Sequence, residues 1–105
     1  MTKGMLDVAR VVRSKNSGPY ELVLDIMFKD KATFEAIRAA GQITEARIAD
    51  AYGVPREEVR RIIWFEPSNA VKVVMPRRIV SGAPGDQDVY GAQQHAPLLS
   101  LTFEL

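Results

Sequence analysis

Residues 20–28 read YELVLDIMF and are the clearest strand in the sequence. Side chains at every second position of a strand point to the same face. One face is apolar throughout and consists of Tyr20, Leu22, Leu24, Ile26 and Phe28. The other face mixes Glu21 and Asp25 with Val23 and Met27, so we expect it to be only partly exposed to water.

Two short helices are predicted directly after this strand. The first has an N-cap at Asp30 and runs through Ala40, and the second has an N-cap at Thr44 and runs through Tyr52. Each is followed by a glycine, the residue that most readily adopts the left-handed conformation that ends helices. The Tyr52 side chain is expected to pack in the core.

A hairpin of two strands is predicted next. The sequences VRRIIWFEP (59–67) and NAVKVVMP (69–76) are extended in pattern, and Pro67-Ser68-Asn69 between them is a turn. The apolar runs Ile62–Phe65 and Val71–Met75 are nearly continuous. Such runs predict strands covered on both faces, by helices on one side and by a partner on the other.

The two ends of the chain are predicted as one helix and one strand. Apolar residues at helical spacing favour a short helix over Leu6–Arg13, and a strand is the alternative because this segment contains three valines. Leu98–Leu105 alternates in polarity, which predicts a last strand paired in the sheet.

This order of elements predicts an α+β fold in one domain, residues 1–105. We expect a small, four-stranded, mainly antiparallel sheet with helices on one face. It would be a ferredoxin-like variant with a long glycine-rich loop before the last strand.

Composition and charge exclude several classes of function. The net charge is +1, so no strong electrostatic attraction to nucleic acid or to a membrane surface is expected. The absence of cysteine excludes disulfides and thiolate metal sites, and it fits a cytoplasmic protein. The N-terminus lacks the apolar core of a signal peptide, since Asp7, Arg10 and Arg13 interrupt it.

The most unusual segment is the loop Ser81–Pro97, SGAPGDQDVYGAQQHAP. Loops longer than about 12–15 residues are uncommon inside compact domains and are usually functional or disordered. Asp86 and Asp88, followed by the only histidine, His95, could hold an oxygen-preferring divalent metal. Alternatively, the two aspartates bond to nearby backbone N–H groups and shape the turns. No cofactor is predicted.

The same loop contains candidates for catalysis and for binding. His95 and Asp86 are the residues that we expect to serve proton transfer, because a histidine exchanges protons near neutral pH. Alternatively, the His95 ring ties the loop to the following strand. Gln93 and Gln94 are amides suited to recognising a carboxylate or an amide, and equally to forming bonds within the loop. Tyr90 either contacts substrate or anchors the loop.

A second polar segment, Arg13–Pro19, is predicted as a turn before the strand at residues 20–28. It is either a solvated turn or an anion-recognising corner. In the second interpretation, Arg13, Ser14, Lys15 and Asn16 bind a substrate anion together with Arg77.

Three segments together carry a resemblance to a known family: residues 6–19, the strand YELVLDIMF, and residues 81–99. They resemble the domain of unknown function 4387 family, and the likeness covers nearly the whole chain. That family tends to be encoded beside, or fused to, a larger protein similar to acyclic terpene utilisation protein A. The chain is also distantly similar to the ferredoxin-like C-terminal part of that larger protein.

The resemblance implies an accessory subunit of a two-component catabolic enzyme. Its large subunit would resemble acyclic terpene utilisation protein A, and the reaction would be lyase or hydratase chemistry on a small carboxylic acid or its thioester. Two alternatives stay open, namely a non-catalytic interaction module and a stand-alone homo-oligomer that binds a small ligand or a metal.

Overall fold

The computed structural model describes residues 1–18, 20–76 and 95–105. The strands in these ranges are β1 (Thr2–Gly4), β2 (Ala9–Asn16), β3 (Glu21–Phe28), β4 (Arg61–Phe65), β5 (Ala70–Pro76) and β6 (Thr102–Glu104). The helices are α1 (Met5–Val8), α2 (Lys31–Ala39) and α3 (Glu45–Tyr52). Short 3-10 turns cover Arg56–Glu58, Glu66–Ser68 and Ala96–Ser100.

The main sheet has four strands in the order β2-β3-β5-β4, and all neighbours are antiparallel. Because β5 lies between β3 and β4 and opposes both, β3 and β4 run parallel to each other. The unit β3-α2-α3-β4 with β5 inserted is the split βαβ arrangement of ferredoxin-like folds. The predicted α+β class and the four-stranded antiparallel sheet are therefore confirmed.

The fourth strand of this sheet is β2, which corrects the helix predicted over Leu6–Arg13. Only Met5–Val8 forms a helical turn, and Ala9–Asn16 is extended against β3. Valines lose side-chain freedom in a helix and pack well on a pleated surface. In the sheet Val12 lies opposite Ile26, where it contacts the core.

The last strand is shorter than the predicted Leu98–Leu105, and it belongs to a different sheet. Leu98 lies in the 3-10 turn, where it is fully buried, and only Thr102–Glu104 is extended. Pro97 at the start of the turn favours a helical φ over a strand. The strand β6 pairs with β1 in a separate two-stranded sheet.

The two central helices have the predicted N-caps, and α3 ends at Tyr52 as predicted, whereas α2 ends at Ala39, one residue before the predicted Ala40. The Asp30 carboxylate accepts a hydrogen bond from the Thr33 backbone N–H at 2.7 Å, and this bond lowers the pKa of Asp30. The Thr44 hydroxyl accepts one from the Arg47 N–H at 3.2 Å. Gly53 follows α3 with φ 64°, a conformation that costs glycine least.

The core lies between the helices and the inner face of the main sheet, the face that carries Leu22, Leu24, Ile26 and Phe28. Phe34 of α2 meets Phe28 edge-on, with ring centroids 6.3 Å apart. Phe34 also meets Trp64 of β4 at 5.7 Å. These contacts place α2 directly over the sheet.

Burial differs between the two strands of the hairpin. Both were predicted to be covered on both faces, and for β4 this prediction is wrong. The strand β5 is buried on both faces as expected, but β4 alternates between exposed and half-buried residues. The reason is its place at the edge of the sheet, where it has one neighbouring strand instead of two. An apolar run in the sequence does not reveal whether a strand is central or at an edge.

Side chains of the helical layer hold β6 in place. The Gln42 side chain donates to the Glu104 carbonyl at 2.8 Å and accepts from the Glu104 N–H at 2.7 Å, as a neighbouring strand would. Arg47 donates to the carbonyls of Gln42 and Thr102, and its guanidinium lies over the ring of Phe103.

Replacing Gln42 by alanine should therefore loosen β6. We expect Gln42→Ala to lower the free energy of unfolding by about 1 kcal/mol, because the bonded Glu104 groups are exposed and can turn to water. The Glu104 amide should exchange its hydrogen faster, which NMR can measure. Glu35→Ala, an exposed change on α2, is the control and should alter stability by less than about 0.5 kcal/mol. Unchanged exchange at Glu104 would contradict the expectation.

Candidate functional site

The face of the main sheet that points away from the helices, here called the outer face, is ordered by strand register into three rows. The basic row consists of Lys15, Val23, Val74 and Arg61. The ion-pair row consists of Arg13, Asp25, Lys72 and Ile63. The apolar row consists of Val11, Met27, Ala70 and Phe65.

Asp25 lies at the centre of the outer face. Among the described residues, it is the only charged residue of this face that is buried, with 1% of its surface exposed. Arg13 Nε donates to Asp25 Oδ2 at 3.1 Å. Lys72 Nζ lies 3.3 Å from Oδ1, an oxygen that accepts no hydrogen bond in the described part of the chain. A buried carboxylate is costly unless it is paired, so the two cations are what make this position tolerable.

Cations outnumber carboxylates in the three rows. Arg13, Lys15, Arg61 and Lys72 stand against Asp25 alone, which gives the rows a net charge of +3. Of the acidic residues nearby, Glu21 at the end of β3 is already paired with Arg60 at 3.2 Å. The outer face therefore attracts anions, although the net charge of the whole chain is only +1.

No helix in the described ranges 1–18, 20–76 and 95–105 packs on the outer face, although its central residues Val23, Asp25, Ala70 and Val74 are buried. The buried apolar residues of all three helices pack in the core cluster on the inner face. On the outer face the edge residues Ile63 and Phe65 are 38% and 46% exposed. Large apolar side chains beside a basic region are typical of a surface that another molecule covers.

The four residues of the predicted anion-binding corner are on a strand, which directs their side chains to two different faces of the sheet. Arg13–Asn16 lies inside β2 and does not form a turn; the chain bends only after Asn16. Because neighbouring side chains of a strand point to opposite faces, Arg13 and Lys15 lie on the outer face. Ser14 and Asn16 lie on the inner face, so the four residues cannot contact one substrate group together.

His95 is on the helical side of the sheet. Its carbonyl accepts from the Leu98 N–H at 2.9 Å, and Leu98 is buried in the core beside the helices. His95 thus begins the turn whose Leu98 packs in the core, whereas Arg13 and Lys15 lie on the outer face. The predicted residues Arg77, Asp86, Asp88, Tyr90, Gln93 and Gln94 lie outside the described residues.

Two further observations concern titratable groups. Burial raises the pKa of the Tyr52 phenol far above its ordinary value, so it stays protonated at neutral pH. Tyr52 packs against the core cluster, as predicted. Among the described residues, no three histidine or carboxylate side chains are grouped closely enough to hold a metal ion.

Three residues of the outer face were not among the sequence-based candidates: Asp25, Lys72 and Arg61. Asp25 and Lys72 each interrupt an apolar run, which is a signal visible in the sequence. That signal does not reveal that the two residues are opposite each other in neighbouring strands. The register of β3 and β5 supplies that information.

A family model described as domain of unknown function (DUF4387) matches residues 5–102 of the chain. The chain belongs to this family. In this DUF4387 protein the matched range includes all four strands of the main sheet. No curated protein and no solved structure matches it. Of the helices in the described residues, none is long and apolar enough to cross a membrane.

The ion-pair row predicts unequal effects for two cations on the same strand. Arg13→Ala leaves the Asp25 carboxylate buried with only Lys72, and we expect it to lower the free energy of unfolding by roughly 1–3 kcal/mol. Lys15→Ala removes an exposed cation with no partner in the described residues, and its effect should stay below about 0.5 kcal/mol. Urea denaturation measures both values.

A double-mutant cycle identifies the carboxylate as the cause. In an Asp25→Asn background the loss caused by Arg13→Ala should shrink, because the charge that it compensates is gone. Equal losses in both backgrounds would show that Arg13 acts through something other than Asp25.

Proposed function

We propose that this DUF4387 protein is the accessory subunit of a two-component enzyme. Its larger partner would resemble acyclic terpene utilisation protein A. The reaction would be a lyase or hydratase step on a small carboxylic acid or its thioester, and the site would lie where the two proteins meet.

The observation that carries this proposal is the outer face of the sheet. A buried Asp25 carboxylate has Arg13 on one side of it and Lys72 on the other, and exposed Ile63 and Phe65 lie at the edge of this face. A basic surface bordered by apolar residues suits a substrate anion and a covering protein together. The larger protein would close this face from solvent, which strengthens each ionic contact.

Arg13 is the residue best suited to bind the substrate carboxylate. Its Nε is used by Asp25, and its two terminal amino groups have no partner in the described part of the chain. A guanidinium offers paired N–H groups that match a carboxylate. Asp25 would hold the guanidinium in place, and Lys15 in the neighbouring row would add positive charge.

The reacting groups are expected to come mainly from the larger protein. His95 remains a proposed proton-transfer residue, with Asp86, but His95 lies on the helical side, away from Arg13. Variants of Arg13 and His95 therefore test two different regions of the molecule.

A second candidate function is a non-catalytic interaction module. The exposed Ile63 and Phe65 favour it, because exposed apolar residues at the edge of a sheet support assembly without any chemistry. In that case variants of Arg13 would change the stability of the complex and leave the Michaelis constant of the larger protein unaltered.

Co-expression with the protein encoded beside it tests the proposal. We expect a stable complex of the two chains, and we expect turnover of small organic acids or their thioesters by the pair only. In the complex, Arg13→Gln should raise KM about tenfold or more, which corresponds to the loss of about 1.4 kcal/mol or more of carboxylate binding.

Charge reversal at Lys15 supplies the matched comparison. Lys15→Glu on the outer face should weaken the complex, whereas Arg56→Glu, an exposed cation in the turn before β4, should leave it intact. If the larger protein alone has full activity, the accessory role is lost. If Arg13→Gln changes complex formation but not KM, the interaction module is the better account.

A further inference from the structure

Among the described residues, β4 has a neighbouring strand on one side only. It is the last strand in the order β2-β3-β5-β4, and it pairs only with β5. No hydrogen bond in the described residues reaches its other side. An exposed strand edge is a row of unpaired N–H and C=O groups, and it is a template for a further strand.

The two edges of the main sheet differ in how they are protected. The strand β2 carries Arg10, Arg13 and Lys15, and an irregularity between Ala9 and Val11 breaks its register. Charges and bulges of this kind keep edges from pairing. The strand β4 is regular, and its sequence RIIWF has one charge at its first residue and four apolar residues after it.

The sequence of β4 is complementary to itself in the antiparallel direction. If two copies of the strand align about Ile63, Ile63 faces Ile63 of the second copy. Arg61 then faces Phe65, and Ile62 faces Trp64. The first is an aliphatic pair, the second places a cation beside an aromatic ring, and the third is apolar; each kind of cross-strand pair stabilises a sheet.

The burial of these residues agrees with that alignment. Ile63 and Phe65 are exposed on the outer face, and Ile62 and Trp64 are only half-buried on the inner face. All four apolar residues of the strand thus have surface left for a neighbour. The same residues serve on both copies, as a two-fold axis requires.

We propose that two copies of this chain pair through β4, antiparallel and centred on Ile63, to form a continuous eight-stranded sheet. The occupant of the edge is a second copy because, in this alignment, each residue of the strand meets a favourable partner: the cation meets an aromatic ring and the other pairs are apolar. The pairing joins the two outer faces, so that Arg61 of each copy borders the apolar row of the other. It does not depend on the enzymatic role proposed above.

A single cysteine at the centre of the strand tests the register. The chain contains no cysteine, so Ile63→Cys introduces the only thiol. Directly opposed residues of antiparallel strands have Cα atoms about 4.5–5.5 Å apart. That separation falls within the range of about 4.4–6.8 Å that a disulfide spans. We expect nearly complete disulfide dimer on mild oxidation of Ile63→Cys.

Phe65→Cys is the matched control on the same face of the same strand. In the proposed register its two copies are four residues out of alignment, roughly 13 Å apart, which is too far for a disulfide. Dimer from Ile63→Cys and little from Phe65→Cys supports the proposal. Equal cross-linking of both variants, or none from either, overturns it.

The mass in solution gives an independent readout. The contact is small, so the wild-type chain should form a dimer of twice 11.7 kDa that dissociates on dilution. Ile63→Lys places two ammonium groups opposite each other and should leave a monomer at every concentration. Leu6→Lys, an equally drastic change at an exposed residue of α1, should keep the dimer.

Two results of the mass measurement would reject the pairing. The first is a wild-type chain that stays at 11.7 kDa throughout the concentration series. The second is an Ile63→Lys chain that dimerises as the wild type does. Circular dichroism confirms that each variant is folded. Pairing of two copies through β4 that occurs only when the larger protein is present also contradicts the proposal.

Discussion

The structure depends on the position of β3 between β2 and β5. A strand with neighbours on both sides forms hydrogen bonds along both edges, and its register determines which residues of three strands share a face. A shift of one residue would place Asp25 in the core and Leu24 at the surface. The apolar inner face of β3 prevents that shift, because burying a carboxylate among the phenylalanines would cost several kcal/mol.

This constraint also explains why the outer face is chemically distinct. With Leu24 and Ile26 directed toward the helices, the outer positions of β3 are left to Val23, Asp25 and Met27. Asp25 then requires cations on both neighbouring strands, and Arg13 and Lys72 occupy those two positions. The same arrangement that stabilises the sheet concentrates positive charge on a face that no described helix covers.

Sequence patterns predicted the parts of the fold that depend on interactions between residues close together in the chain. Asp30 and Thr44 were identified as helix N-caps because capping involves residues only three positions apart. The strand at residues 20–28 was evident from its alternation. The N-terminal segment was harder, since the helical spacing of Met5 and Val8 continues into a valine-rich strand, and pairing with β3 decided the outcome.

The sequence by itself determined the α+β class, the two capped helices, the central strand and membership of the family. Only the tertiary structure decided that β2 completes the main sheet, that β6 leaves it for β1, and that β4 is an edge. It also separated Arg13 from Ser14 and brought Lys72 to Asp25. The physical reason is that caps and alternation are set by neighbours along the chain. Strand order and register are set by which distant segments bury each other.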